Sequence, residues 1–182
     1  MNVLIGGMGN VLLGDDGFGP YVIHRLEAEY DFGGEVELAD LGTPALDLTH
    51  RIAGRDVVIL IDCIQGNEHP AGTVLAYDKA ELLKVVPVQR LDPHSPAVSE
   101  CLMAAEMLGA TPKHLLLLGA VGGSFDPGSP LGIALRAATD KVIATVIAEL
   151  KLLGVWFRKK ASSGEVPIWW QVSSQEQRSA TE

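Results

Sequence analysis

Short runs of consecutive apolar residues recur along the chain, and segments with helical spacing of apolar residues separate them. The two strongest runs, 57–61 and 115–118, contain only aliphatic residues, which is typical of parallel strands buried on both faces. Residues 3–5 form a shorter run that predicts a buried strand at the start of the chain. Apolar residues three or four positions apart predict helices, and the clearest cover about 20–30, 96–108 and 131–153.

Weaker patterns complete the alternation of strands and helices. Residues 35–41 alternate polar and apolar side chains and predict a more exposed strand, and a further strand is predicted at 72–77. A helix beginning with Thr43 as cap and Pro44 at its first position is expected to run to about residue 53. Because strands and helices alternate throughout, we predict a three-layer α/β/α sandwich around a mostly parallel twisted sheet.

The sequence changes character after residue 154. We expect one α/β domain over residues 1–154 and a C-terminal extension over 155–182 that is partly mobile, because its last ten residues are polar. All three tryptophans lie in this extension. They either pack back on the domain, which we favour, or contact a partner.

Composition excludes several classes of protein. A hydrophobic content of 47% in 182 residues argues against a disordered chain, and no apolar run approaches the roughly 18 residues needed to span a bilayer. The formal net charge of −9 argues against nucleic-acid binding. Two cysteines do not indicate a disulfide framework, and the chain enters its first strand without a basic leader. We therefore expect a cytoplasmic protein.

The first strand leads into a glycine-rich turn with two adjacent carboxylates, Asp15 and Asp16, just before a helix. The turn lacks the third glycine of a dinucleotide fingerprint, where Leu12 stands, and it has no lysine for a phosphate loop. Two carboxylates would repel a phosphate and suit a cation or a proton. Alternatively, one of the pair only caps the following helix.

Three polar side chains stand where a parallel sheet handles ligands, at the carboxyl ends of its strands. Asp16 follows the first strand, Asp62 closes the second buried strand, and His94 lies in a proline-bounded connection before a helix. Two carboxylates and an imidazole form a plausible three-ligand site for zinc, nickel or a similar divalent ion with open positions. The alternative is that Asp62 caps a turn and His94 is an ordinary loop residue.

Other arrangements for chemistry are weaker. Cys63 is more typical of a small core residue, and Ser95 and Ser124 lack the context of a nucleophile elbow. The loop 119–128 follows a buried strand, so it either lines a peptide-binding cleft or serves as an ordinary connection.

The opening stretch 7–19, with Gly-Asn-x-Leu-x-x-Asp-Asp-Gly-x-Gly from Gly9, resembles the signature of the hydrogenase maturation proteases. These endopeptidases process the large subunit of nickel–iron hydrogenases. The resemblance continues through Asp62 and His94 and covers roughly residues 1–153. It implies that Asp16, Asp62 and His94 are both the catalytic and the metal-binding residues.

The resemblance also implies a substrate and a cofactor. The partner would be the hydrogenase large-subunit precursor, cut once near its C-terminus after nickel has been inserted. The nickel would be carried by that precursor and examined by the three residues. Otherwise a divalent ion held by the three residues would polarise the scissile carbonyl or activate water. Two other functions stay open at this point: an assembly factor that checks nickel without cutting, and a small-molecule hydrolase.

Overall fold

The computed structural model describes residues 1–65, 68–84, 98–161, 166–168 and 170. A central five-stranded sheet organises these residues. Its strands are β1 (Val3–Met8), β3 (Val36–Gly42), β4 (Val57–Ile64), β5 (Val74–Asp78) and β6 (His114–Val121), and a separate antiparallel pair is formed by β2 (Tyr30–Phe32) and β7 (Phe157–Lys159). The sheet order is β3-β1-β4-β6-β5, in which only β5 runs antiparallel to its neighbour.

Helices cover both faces of the sheet. They are α1 (Phe18–Glu29), α2 (Asp47–Ile52), α3 (Lys79–Lys84), α4 (Val98–Met107) and α5 (Ile133–Leu152). Alternate residues of the central strands supply two cores: Ile59 and Ile61 pack with α1 and α5, whereas Val58 and Leu60 pack with α2, α3 and α4. The predicted three-layer α/β/α sandwich is therefore confirmed, and the aliphatic runs are buried on both faces because helices cover both.

Two local predictions need correction, and a third lies outside the described residues. The second helix begins at Asp47, not at Pro44, because Ala45 has a φ of 46° and interrupts helical geometry there. Strand β4 continues past Asp62 to Ile64, so Asp62 lies within the strand. The predicted start of the helix over 96–108 at residue 96 lies outside the described residues, and α4 is described from Val98.

The beginning of the C-terminal extension packs on the domain. Strand β7 pairs with β2, and Arg158 forms an ion pair with Asp31 at 2.7 Å. The Phe157 ring lies 6.3 Å from that of Tyr30 in an edge-on arrangement. The boundary at residue 154 stays a prediction, but part of the chain beyond it contributes to the same core. In the part of the chain that the structure describes, no helix combines the length and apolar character needed to cross a membrane.

Candidate active site

Asp16 is placed by a tight connection between β1 and α1. After β1 the chain passes through a single 3₁₀ turn, Gly14–Gly17, whose Asp16 N–H donates to the Leu13 carbonyl at 3.1 Å. The Asp16 Oδ2 accepts a hydrogen bond from the Asn10 N–H at 2.8 Å. Gly9 has a φ of 129°, and any side chain on it would collide with the Asp16 carbonyl oxygen. A glycine is therefore required for the turn to fold back on itself.

Asp62 lies on the neighbouring strand at the same edge of the sheet. The parallel register pairs Gly7 with Ile61, which places Asp62 level with Met8 at the end of β1. Its Oδ1 accepts the N–H of Cys63 at 2.9 Å. Burial, and after it the negative charge of Asp16, raise the pKa of Asp62 from 3.8 to about 7. Two acids distant in sequence therefore lie near enough at this edge of the sheet for their charges to interact, and a proton or a cation would relieve their repulsion.

Asp15, the neighbour of Asp16, has a different environment and a different task. It is 3% exposed, and its Oδ2 accepts hydrogen bonds from the N–H groups of Gly123 at 2.7 Å and Ser124 at 3.1 Å. Its Oδ1 accepts the N–H of Gly132 at 2.6 Å, directly before α5. The alternative, in which one of the two acids caps the following helix, is wrong: no side chain of the described residues caps α1, and Asp15 instead accepts the Gly132 N–H before α5.

The loop after β6 is thereby joined to the turn that carries Asp16. In addition to the bonds of Asp15, the Asp15 N–H donates to the Ser124 carbonyl at 2.9 Å and the Gly128 N–H donates to the Leu12 carbonyl at 2.8 Å. This loop was predicted either to line a cleft or to be an ordinary connection. It lies against the candidate site and holds its main turn in place.

The third predicted ligand, His94, lies outside the described residues. Among the residues that are described, no group of three histidine, cysteine, aspartate or glutamate side chains is placed to hold a metal ion. The structure thus brings Asp16 and Asp62 together, and the imidazole of the predicted set stays a prediction.

Cys63 does not compete for a catalytic role. Its side chain is buried in the core, as the sequence suggested. Burial raises the pKa of the Cys63 thiol well above its usual value, and the charges of nearby Asp62, Asp15 and Asp16 raise it further. The thiol stays protonated at neutral pH and is a poor nucleophile.

Comparison with known proteins identifies the family. Residues 20–149 match the family model described as hydrogenase maturation protease, HycI. The chain belongs to the hydrogenase maturation protease family. A curated relative, the hydrogenase 2 maturation protease of Escherichia coli K12, is 30% identical over 155 residues, covering 85% of this chain and 94% of the relative. The protein is accordingly a hydrogenase maturation endopeptidase, and neither the non-cutting factor nor the small-molecule hydrolase is retained.

Solved structures of hydrogenase maturation proteases share the fold. The hydrogenase maturating endopeptidase HybD from Escherichia coli superposes with a TM-score of 0.79 at 28% identity, covering 88% of this chain and 99% of that one. A hydrogenase 2 maturation peptidase from a thaumarchaeote gives a TM-score of 0.63 at 26% identity, covering 84% and 99% of the two chains. The α/β/α architecture of this hydrogenase maturation protease is therefore that of its relatives.

Proposed function

We propose that this protease removes a C-terminal peptide from the nickel-loaded precursor of a hydrogenase large subunit, in the cytoplasm. Asp16, Asp62 and His94 recognise the nickel in that precursor. The proposal rests on one observation, the meeting of Asp16 and Asp62 at the carboxyl edge of β1 and β4, where the charge of Asp16 helps to raise the pKa of Asp62. A cation would relieve the repulsion between the two carboxylates, and the nickel ion of the precursor is such a cation.

The chemistry of the donors favours nickel held mainly by the substrate. Two carboxylates and an imidazole without a thiolate form a modest site for a transition metal. They suit an ion that the partner already holds with cysteines, whose open positions they complete. Cleavage would then depend on the state of the substrate, because an empty precursor offers the two acids no cation.

The site assignment predicts the outcome of three substitutions. Asp16→Ala, Asp62→Ala and His94→Ala should each lower the rate of precursor processing about a hundredfold or more, because each removes a group from the reacting centre. The measurement is mass spectrometry of a nickel-loaded large-subunit precursor that the wild-type protein shortens. Asp126→Ala, an exposed aspartate on the loop after β6, serves as the control and should cut normally. Wild-type rates in all three variants would remove the site assignment.

The location of the metal predicts the effect of a chelator. Protein stripped with EDTA and then freed of the chelator should process nickel-loaded precursor at the untreated rate, because the ion enters with the substrate. Precursor prepared without nickel should stay uncut by the same protein. If the stripped protein is inactive until a divalent ion is restored, the ion belongs to the protease and acts as a Lewis acid or on water.

A further inference from the structure

The C-terminal extension returns to the candidate site through residues 166–168 and 170. The Tyr21 hydroxyl, on the first turns of α1, donates a hydrogen bond to the Val166 carbonyl at 3.4 Å. Ile168 is 8% exposed and belongs to the same core as Phe18 and Tyr21. These contacts fix the segment across the amino end of α1, beside the turn that carries Asp16.

Trp170 lies directly on that turn. A Cβ placed on Gly17 would lie 2.8 Å from Cζ2 and 3.2 Å from Cη2 of the indole. The Trp170 ring also meets the Tyr21 ring edge-on, with centroids 6.2 Å apart and an interplanar angle of 86°. A side chain at Gly17 would therefore collide with the indole, and its Cβ would also lie 3.2 Å from the Val11 Cα.

Gly17 follows Asp16 directly, ends the 3₁₀ turn and precedes α1. A shift of Gly17 would move the Asp16 backbone, because a single peptide unit joins their α-carbons. Asp15 ties the same turn to the loop after β6 through three N–H groups. The indole thus adds a contact at Gly17 to a turn that Asp15 already holds at the preceding residues.

We propose that Trp170 is a positioning residue for the processing reaction: its indole packs on Gly17 and keeps the Asp16 carboxylate in the geometry that the reaction needs. The inference rests on the proposed function in that Asp16 is taken as a working carboxylate. Trp170 lies beyond residues 20–149, which match the family model. The extension therefore has a part in catalysis without a reacting group of its own.

The test compares Trp170→Ala and Trp170→Phe with the matched control Trp156→Ala, whose side chain is 55% exposed. We expect Trp170→Ala to lower kcat about tenfold or more with KM within about twofold, because a small displacement of a reacting group is costly. Backbone amides of residues 9–17 should exchange faster with deuterated solvent, while those of α5 keep their wild-type protection. Trp170→Phe should recover most of the rate, and Trp156→Ala should match the wild type.

A second variant covers the case in which Trp170→Ala does not fold. Gly17→Ala adds a Cβ that pushes against the indole, so its loss of kcat should be smaller in the Trp170→Phe background than in the wild type. Equal losses in the two backgrounds would overturn the inference. So would an increase in KM at unchanged kcat, which would make Trp170 a substrate contact, or a wild-type kcat with wild-type amide exchange in Trp170→Ala.

Asp16→Ala, measured beside these variants, separates the two hypotheses. If Asp16→Ala cuts at the wild-type rate, the proposed role of Asp16 fails, and the positioning role fails with it. If Asp16→Ala is inactive while Trp170→Ala keeps both its kcat and its amide protection, only the positioning role fails. Loss of activity in both, with faster exchange confined to residues 9–17 in Trp170→Ala, supports both.

Discussion

Replacing Asp62 by asparagine should yield a protein that is more stable at pH 8 and yet unable to process the precursor. The wild-type carboxylate is half-buried and ionised at pH 8, and desolvation followed by the charge of Asp16 raises its pKa from 3.8 to about 7. That difference corresponds to at most about 4 kcal/mol of lost stability, and we expect the asparagine variant to recover about 2 kcal/mol after local relaxation. The amide oxygen can still accept the Cys63 N–H, which the carboxylate accepts at 2.9 Å. Processing should fall about a hundredfold or more, because the amide carries no charge for the cation and cannot exchange a proton.

The size of this stability gain depends on pH in a defined way. The folded protein binds the Asp62 proton more tightly than the unfolded chain, so its free energy of unfolding decreases as the pH rises from 3.8 to about 7. Below this interval both states are protonated, and above it the full loss is present. The gain of Asp62→Asn should therefore be small at pH 4, grow across the interval and level off above pH 7. Urea unfolding in metal-free buffer from pH 4 to pH 9 measures it.

The other end of the same strand offers a control of opposite sign. Asp56 precedes β4 and pairs with Lys113 at 2.6 Å, which holds the pKa of its carboxyl below the usual value. Asp56→Asn should lower stability slightly at pH 8, because the ion pair is exposed and contributes little. If Asp62→Asn also loses stability at pH 8, the ionised carboxylate of Asp62 does not destabilise the folded protein, and this explanation of the site is wrong.

The sequence predicted those parts of the fold whose signal is local. The all-aliphatic runs 57–61 and 115–118 lie in β4 and β6, and they lack polar residues because helices cover both of their faces. Strands β2 and β7 escaped prediction because each has three residues and mixes charges with aromatic rings, as in Phe157 and Arg158. Their pairing joins residues more than a hundred positions apart, so no window of sequence contains it.

The candidate site shows the same division. Asp16 and Asp62 were predicted because both follow apolar runs whose ends meet at one edge of a parallel sheet. The role of Asp15 was missed because its partners stand 108 to 117 positions away, in a loop with no distinctive pattern. The contact of Trp170 with Gly17 was missed for the same reason. A single carboxylate is enough to cap a helix. The presence of a second acid beside Asp16 was therefore the signal in the sequence that Asp15 has a separate role.

Asp15→Asn should destabilise the protein strongly, in contrast to the change at Asp62. The buried carboxylate accepts three N–H groups, two at Oδ2 and one at Oδ1. Asparagine offers one oxygen, so its NH₂ group must face at least one donor, and it lacks the charge that strengthens all three bonds. It also lacks the negative charge at the amino end of α5. We expect the free energy of unfolding at pH 7 to fall by about 3 kcal/mol, because the N–H groups of Gly123, Ser124 and Gly132 lose a charged acceptor.

Two neighbouring aspartates make this prediction specific to Asp15. Asp126→Asn alters an exposed carboxylate of the same loop, which accepts the Ser124 hydroxyl at 3.1 Å, and should change stability by less than about 0.5 kcal/mol. Asp16→Asn should abolish processing with a much smaller loss of stability, because Asp16 is less buried. Urea unfolding and the processing assay on the same preparations then distinguish the two roles: Asp15 stabilises the turn, and Asp16 takes part in the reaction. Equal stability losses at Asp15 and Asp126 would show that the three N–H bonds do not hold the loop, and the site would need another source of rigidity.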